Sequence, residues 1–346
     1  MNRIVLAILA ALALAGPAAA NDSTAELAAG GLVLTRTDAI VMKSEDLYIS
    51  ADAVRVRYVF VNTSGKDVTT RVAFPMPDIG GPEFYFHDTN IPGGEDPANL
   101  LAFRTLVDGK AVRMAVEQKA YVGDVDRTAW LTARGVPLAL HVDGIVSRLD
   151  ALSPADQAEA VRLGLAVPDE YDAGKGWEKH LNPAWILKTT FHWEQTFPAG
   201  REIVVEHSYK PATGGSVGTI VGAPSFAGSP EWAETRDRYC IDSAFLAAVK
   251  TAQGKWRYPP FNEQRIAYVL KTGGNWAGPI GDFRMVIDKG APANLVSFCA
   301  SGVKKVGPTT FEVRKTNWTP DRDLSILILK PMPPVILYPV TPPPVE

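Results

Sequence analysis

Alternation of apolar and polar residues is the dominant pattern in this sequence. In the run 54–60, Val54, Val56, Tyr58 and Phe60 occupy alternate positions, with Arg55 and Arg57 between the first three. A period of two places the apolar side chains on one face of a β-strand and the polar ones on the other. Similar runs occur at 68–74, 185–196 and 202–209, and again after residue 265. The sequence therefore predicts a mainly β protein with β-sandwich-like antiparallel sheets.

Turn residues separate these runs. Asn62-Thr63-Ser64-Gly65 follows the first run, and Asp108-Gly109 lies between the strand-like segments 101–107 and 110–118. Asp-Gly between alternating segments is a strong hairpin signal. Pro198-Ala199-Gly200 predicts a further hairpin between the runs 185–196 and 202–209.

Helical signals interrupt the β pattern in three places. A mostly helical insertion is predicted over about 122–182, where Ser153-Pro154-Ala155-Asp156 provides an N-cap, a proline at the first helical position and an acid in the first turn. One further helix is predicted over 243–253, in the C-terminal half, between Asp242 and Gly254. Ser23 and Glu26 have the spacing of a capping box, which predicts a short helix there.

The first twenty residues have the features of a signal peptide. Residues 4–15 are apolar and uncharged, and small residues precede a cleavage site between Ala20 and Asn21. The alternative is an uncleaved membrane anchor. No later apolar run approaches the ~18 residues that a spanning helix needs, so we expect no transmembrane span after cleavage. The protein is predicted to be periplasmic or secreted.

The rest of the chain is predicted to form one extended β-rich domain over 21–330, followed by a proline-rich tail over 331–346. The tail contains seven prolines and is expected to be extended. Chains of this length can also divide into two domains. The segment 210–235 is the weakest point of the predicted domain.

The two cysteines, Cys240 and Cys299, are predicted to form a disulfide bond. An even pair in an exported protein favours a bridge. The alternative is two unrelated buried thiols, because spacing along the sequence gives no distance in space.

Charge and motifs exclude several functions. The chain has 35 Lys and Arg against 38 Asp and Glu, so it lacks the basic surplus that binding to nucleic-acid phosphates requires. Neither phosphate-binding glycine motifs nor His-Glu-x-x-His occurs, and no cofactor is predicted. The segment 214–218 matches the Gly-x-Ser-x-Gly pattern, but Gly222 and Pro224 prevent the helix that a nucleophile elbow needs after Ser216. No catalytic residue is assigned.

Two sets of residues are candidates for binding. If 185–196 and 202–209 formed a two-residue-loop hairpin, His192 and His207 would lie opposite each other with Glu194 on the same face. Two histidines and a carboxylate can bind zinc, although partly exposed sheet histidines are the simpler interpretation. Trp256, Tyr258 and Trp276 lie in glycine- and proline-rich segments, where they could form an exposed ligand surface or cover sheet edges as core residues.

Several segments resemble an exported bacterial family catalogued as domain of unknown function 4424. They cover nearly the whole chain after the signal peptide: NDSTAELAAGGL at 21–32, FVNTSGKDVTTRVAFPMPDI at 60–79, FPAGREIVVEHSYKP at 197–211, GPIGDFRMVIDKG at 278–290, NLVSFC at 294–299 and PTTFEVRK at 308–315. The resemblance implies an exported protein and supplies no activity, substrate or functional residue.

A weaker similarity connects the chain to the vault/inter-alpha-trypsin domain. It rests on Phe-Pro-x-Pro at 74–77, TAWLTARGVPL at 128–138 and PDRDLSIL at 320–327. Those domains are β-sandwich interaction modules, so the similarity implies a fold and not a site.

These observations favour an exported, non-catalytic binding or structural module of the bacterial cell envelope. Its partner would be an envelope component or an exported protein. The alternative is a periplasmic hydrolase or metal-dependent enzyme whose site the sequence does not reveal. A deep pocket at His192, His207 and Glu194 would favour the enzyme, and an exposed aromatic surface would favour binding.

Overall fold

The computed structural model describes residues 23–28, 31–81, 88–92, 96, 98–140, 142–172, 174 and 176–332. Its strands are β1 Ser23–Ala28, β2 Gly31–Thr35, β3 Ile40–Ile49, β4 Val54–Asn62, β5 Val68–Pro75, β6 Ile79–Gly80, β7 Asp88–Asn90, β8 Arg104–Val107, β9 Lys110–Ala111, β10 Ala115–Val122, β11 Val125–Asp126, β12 Ala166–Asp172, β13 Trp177–Pro183, β14 Ile186–Phe197, β15 Glu202–Tyr209, β16 Thr213–Ser216, β17 Phe261–Tyr268, β18 Ile280–Asp288, β19 Leu295–Phe298, β20 Lys304–Lys305, β21 Thr310–Trp318 and β22 Leu324–Pro331.

The helices are α1 Thr128–Ala133, α2 Ile145–Asp150, α3 Pro154–Arg162, α4 Pro230–Tyr239 and α5 Ser243–Gln253, and two 3₁₀ turns span Pro224–Phe226 and Lys271–Asn275. The predicted signal peptide and residues 333–346 of the predicted tail lie outside the described residues.

The described strands form three sheets and one separate hairpin. The first sheet has the order β11-β10-β14-β5-β1-β2, with β6 also paired to β14. The second has the order β20-β21-β18-β3-β4-β15-β8-β9, and the third has the order β19-β22-β17-β16-β7. Strands β12 and β13 pair only with each other. The prediction of a mainly β, largely antiparallel protein is confirmed.

The first and second sheets pack face to face. Phe74 of β5 lies 4.8 Å from the ring of His207 on β15, and Phe60 of β4 lies 5.9 Å from Phe197 on β14. The predicted apolar face of 54–60 is confirmed, since its four apolar side chains are at most 2% exposed. Alternating side chains of two facing sheets therefore build a sandwich core.

The third sheet is covered on both sides. Residues Leu324, Ile326 and Ile328 of β22 belong to the sandwich core, whereas Leu327 and Leu329 belong to a second core that includes residues of α4 and α5. A strand buried on both faces needs a continuous apolar run, and 326–329 is such a run. The third sheet thus separates the sandwich from a helical layer.

A C-terminal strand completes the second sheet at its centre. Strand β18 pairs in parallel with β3 and antiparallel with β21. Arg284 of β18 connects all three strands, because its guanidinium donates to Asp46 of β3 at 2.9 Å and to Glu312 of β21 at 2.8 Å. The C-terminal strands β18 and β21 thus complete a sheet begun near the N-terminus.

The hairpin predicted between 185–196 and 202–209 is wrong. Strand β14 pairs with β5 and β10, and β15 pairs with β4 and β8, so the two strands lie in different sheets. The turn at 198–200 instead carries the chain across the sandwich, and the Gly200 N–H donates to the Asn62 carbonyl at 2.9 Å. Pairing of β15 with β4 and of β14 with β5 is more favourable than the hairpin that the turn residues predict.

The Asp108-Gly109 hairpin is confirmed over β8 and β9. Asp108 and Gly109 have φ values of 47° and 75°, as a type I′ turn requires. Strand β10, however, leaves the hairpin and joins the first sheet.

The helix predicted at the capping box is wrong, because residues 23–28 form β1. Residues Ser23, Thr24 and Ala25 pair with β5, and β1 also pairs with β2. The Ser23 hydroxyl donates to the Thr35 carbonyl at 3.2 Å and does not cap a helix. Two neighbouring strands satisfy these backbone groups better than a short isolated helix would.

The predicted insertion is only partly helical. Helix α3 begins as expected, with the Ser153 hydroxyl accepting from the Asp156 N–H at 3.1 Å. Residues 166–172 and 177–183 instead pair as strands β12 and β13. The helix over 243–253 is confirmed, with Asp242 accepting from the Phe245 N–H at 2.7 Å. Helix α4 was not predicted, although Ser229-Pro230-Glu231 repeats the start signal of α3.

The single-domain assignment over 21–330 stays a prediction.

The predicted Cys240–Cys299 disulfide is confirmed. The two Cα atoms lie 5.0 Å apart. Cys240 caps α4 in the left-handed conformation, and Cys299 follows β19 directly. The Ser297 hydroxyl donates to the Tyr239 carbonyl at 2.9 Å, so a hydrogen bond and the disulfide attach the end of α4 to the third sheet.

Cys240→Ser should lower the free energy of unfolding. The bridge closes a loop of 59 positions, for which loop-closure entropy gives about 4 kcal/mol. Denaturant unfolding measures the loss, and reductant added to the wild type should reproduce it. Cys299→Ser and the double variant should lose the same amount as Cys240→Ser, because all three remove one bond. Rapid labelling of both thiols by maleimide in the oxidised native protein would contradict the bridge.

Glu312 should make stability depend on pH below neutrality. Hydrogen bonds from Arg314 and Arg284 lower the pKa of Glu312 to about 2. A lowered folded-state pKa contributes stability that is complete above the unfolded value near 4.5 and is lost as the pH falls towards 2. The difference in unfolding free energy between wild type and Glu312→Gln should therefore be larger at pH 6 than at pH 2.5. Asp321→Asn, at an 84% exposed carboxylate, controls for loss of one negative charge. Equal differences at both pH values would refute the linkage.

Candidate functional site

A large groove lies at the edge of the third sheet, with a volume of about 960 Å³. We call it the aromatic groove. Its floor is the helix-facing row of β17, one wall is the loop after β16, and the other is the connection between α5 and β17. The lining residues are Ser216, Val217, Gly218, Thr219, Ile220, Ala223, Ser225, Phe226, Ala252, Trp256, Arg257, Tyr258, Pro259, Pro260, Phe261, Glu263, Arg265, Ala293, Pro331 and Met332.

The α5–β17 connection presents two aromatic side chains to solvent. Trp256 is 65% exposed and Tyr258 is 50% exposed. The Gln253 side chain at the end of α5 donates to the carbonyls of Trp256 and Arg257, at 2.9 and 3.1 Å. The Arg257 guanidinium lies 5.3 Å from the Tyr258 ring centroid. This wall is therefore an aromatic surface whose backbone is fixed to the preceding helix.

The opposite wall is the loop that follows β16. Val217 is 83% exposed and Phe226 is 37% exposed. Gly218 has φ +89°, a conformation that favours glycine, and its N–H donates to the Asn262 side chain at 3.2 Å. Tight anchoring to β17 thus turns the apolar side chain of Val217 towards solvent.

An ion pair between a buried carboxylate and a partly exposed arginine forms the polar part of the floor. The Glu263 side chain is 1% exposed, and Arg265 donates to its Oε2 through Nε at 2.9 Å and also through Nη2. The Thr219 hydroxyl donates to Oε1 at 2.6 Å. A buried carboxylate requires such compensation. The groove therefore combines apolar walls with a few fixed polar groups, which is the composition of ligand sites.

Two of the three aromatic residues predicted as a ligand surface lie on this groove. Trp256 and Tyr258 line it, but Trp276 does not. Trp276 is 3% exposed and packs on Phe60, with the ring centroids 4.4 Å apart. Its expected role at a ligand surface is wrong, because the 3₁₀ turn before it directs the ring into the sandwich core.

The structure does not form the predicted zinc site. His207 lies in the sandwich core, where its Nδ1 is 2.9 Å from the Thr105 hydroxyl. The Trp193 ring contacts His207, so His192 and Glu194 occupy the opposite face of β14. Burial lowers the pKa of His192, and nearby Arg71 lowers it further. Within the described residues, no group of three or more His, Cys, Asp and Glu side chains is arranged to hold a metal ion.

Ser216 lies in the aromatic groove but not in a nucleophile elbow. It ends the short strand β16, and its hydroxyl donates to the Gly218 carbonyl at 3.1 Å. The residues that follow make a loop and a 3₁₀ turn. The sequence argument against a nucleophile elbow is therefore confirmed.

Sequence analysis missed the polar floor. Glu263 and Arg265 alternate with Ile266 and Tyr268 along one strand, which is the pattern of a strand with one solvent-facing side. Helices α4 and α5 bury the side of β17 that carries Glu263 and Arg265, and the sequence does not give the positions of these helices. Burial also raises the pKa of Tyr239 on α4, although the Arg265 charge opposes the shift. The one available signal was the pairing of opposite charges two residues apart.

The fold and the groove define a class of protein: a mainly β protein with a ligand-sized groove beside its helical layer. Among the described residues, no helix is long and apolar enough to cross a membrane. The chain belongs to the family described as "Domain of unknown function (DUF4424)", which matches residues 20–327. The family resemblance inferred from sequence is thereby confirmed, whereas the vault/inter-alpha-trypsin similarity is not shown.

A solved structure from Legionella pneumophila subsp. pneumophila str. Philadelphia 1, described as a "putative nutrient binding protein", is similar to this chain. The two share 15% sequence identity with a TM-score of 0.42, and the match covers 90% of this chain and 70% of the other. No curated protein matches the chain.

Two tryptophans should differ sharply in their effect on stability. Trp276→Ala should lower the unfolding free energy by about 3–5 kcal/mol, because it empties a buried site. Trp256→Ala should change it by less than about 1 kcal/mol, since that side chain is mostly exposed. Urea unfolding followed by circular dichroism measures both. Equal losses would show that Trp256 is a core residue and not part of a ligand surface.

Proposed function

We propose that the protein is an exported, non-catalytic binding module and that the aromatic groove is its ligand site. The observation that carries this proposal is the exposure of Trp256 and Tyr258 on the wall of a groove with a fixed polar floor. Exposure of large aromatic side chains to water is unfavourable, and burying them against a ligand is favourable. The volume of about 960 Å³ lies at the upper end of the range for ligand pockets.

The chemistry of the lining supports binding over catalysis. The described lining residues include serine, threonine, glutamate and arginine, but no histidine or cysteine. The Ser216 hydroxyl is hydrogen-bonded within its own loop, and both Glu263 oxygens accept hydrogen bonds from neighbours. These polar groups are therefore engaged in holding the groove together, as expected of a preformed binding surface. This supports the binding hypothesis over the hydrolase.

The signal-peptide pattern supports a location in the periplasm or outside the cell, after cleavage between Ala20 and Asn21. The ligand would then be an envelope component or an exported protein. Apolar walls favour an apolar segment of that ligand, and Arg257 at the rim favours an anionic group beside it. The family match itself assigns no activity.

Retention of envelope components by the immobilised chain from Asn21 onward tests this function. The wild type should retain at least one component. Trp256→Ala should reduce the retained amount of that component by about tenfold or more, since removal of a central aromatic contact costs roughly 2 kcal/mol. Quantitative mass spectrometry of the eluates measures the ratio.

Trp177→Ala is the matched control, because Trp177 is 79% exposed on the separate β12–β13 hairpin. It should retain the same component as the wild type. The proposal fails if every retained component binds Trp256→Ala and the wild type equally. It also fails if the two tryptophan variants lose the same component to the same extent, because retention would then reflect nonspecific aromatic contacts.

A further inference from the structure

The last described residues of the chain lead into the aromatic groove. Pro331 pairs with Phe261, the first residue of β17, and the Met332 N–H donates to the Pro260 carbonyl at 2.8 Å. Both Pro331 and Met332 line the groove. The segment 333–346 therefore begins at the groove itself and not on a distant surface.

The direction of β22 points towards the aromatic wall. Strands β22 and β17 are antiparallel, so β22 ends at Pro331 heading towards the α5–β17 connection, which precedes Phe261. Trp256 and Tyr258, the two most exposed aromatic side chains of the wall, lie on this connection.

The sequence of 333–346, PPVILYPVTPPPVE, suits this surface. Its prolines lack N–H groups and cannot extend a β-ladder, but they favour the polyproline II conformation. Grooves lined by aromatic side chains bind such segments. The four consecutive apolar residues 335–338 would form an exposed patch unless another surface covers them.

We propose that residues 333–346 bind in the aromatic groove of the same chain and that an external ligand must displace them. Because the segment belongs to the same chain as the groove, its effective concentration at the groove is high. A short linker gives an effective concentration on the order of 1 mM, so an intrinsic Kd of about 1 mM would keep the groove about half occupied. The proposal concerns the same site as the proposed function and adds an internal competitor to it.

Photocross-linking in the full chain tests this inference. p-Benzoylphenylalanine replaces Ile336 in one variant and Tyr338 in another, the second being an aromatic-for-aromatic change. After irradiation, peptide mass spectrometry should find links to residues 216–226 or 252–263 within one chain. Links elsewhere, or none from either position, would overturn the proposal. Links to the groove of another copy that increase with protein concentration would also overturn it.

Two controls make the result specific. The same photoreactive residue at Val306, which is 52% exposed, should not reach the groove. In the Ile336 and Tyr338 variants, the added change Trp256→Ala should remove most of the groove cross-link, whereas Trp177→Ala should leave it intact. An undiminished cross-link with Trp256→Ala would refute binding by the aromatic wall.

The two proposals fail separately. If residues 336 and 338 miss the groove while an envelope component still depends on Trp256, the internal competitor is wrong and the binding function stands. If the segment reaches the groove but no envelope component depends on Trp256, the competitor stands and the function is wrong.

Discussion

Burial of β22 on both faces is the constraint on which the other layers depend. Its side chains alternate between the sandwich core and the smaller core under α4 and α5, so one apolar run at 326–329 supplies both. Without that strand the third sheet would lose its central pairing with β17 and β19. The sandwich and the helical layer are therefore joined through apolar packing, and the disulfide reinforces the joint at one end of the sheet.

The aromatic groove follows from the same arrangement. Helices α4 and α5 pack on the third sheet, and the helix-facing row of β17, from Phe261 through Glu263 to Arg265, lines the groove beside them. Because a bare charge there would be costly, Glu263 is held by Arg265 and Thr219. The walls are loops fixed at both ends to rigid elements, as is common where binding residues are displayed.

Local patterns in the sequence predicted most of the long strands and the starts of α3 and α5, because those depend on neighbouring residues. Period-two alternation located the inward face of 54–60, and Asp242 located α5. The failures were non-local. The hairpin at 198–200 was wrong because β4 and β5 provide better partners for β15 and β14, and the zinc hypothesis depended on that hairpin. Trp256 and Trp276 both lie in glycine- and proline-rich segments, and only the three-dimensional packing separates the exposed ring from the buried one.

The two ends of the third sheet differ in how they are held, and this bears on how the groove works. At one end, the disulfide and the Ser297 hydrogen bond fix α4 to β19. At the other end, the groove walls are held without a disulfide: Gln253 donates to the α5–β17 connection, Asn262 accepts from Gly218, Met332 donates to Pro260, and buried Val221 packs the loop after β16 into the core under α4 and α5. Single hydrogen bonds contribute about 1 kcal/mol each, far less than the bridge. The exposed side chains of the walls, Trp256, Tyr258 and Val217, can therefore adjust to an occupant without disturbing the cores beneath them.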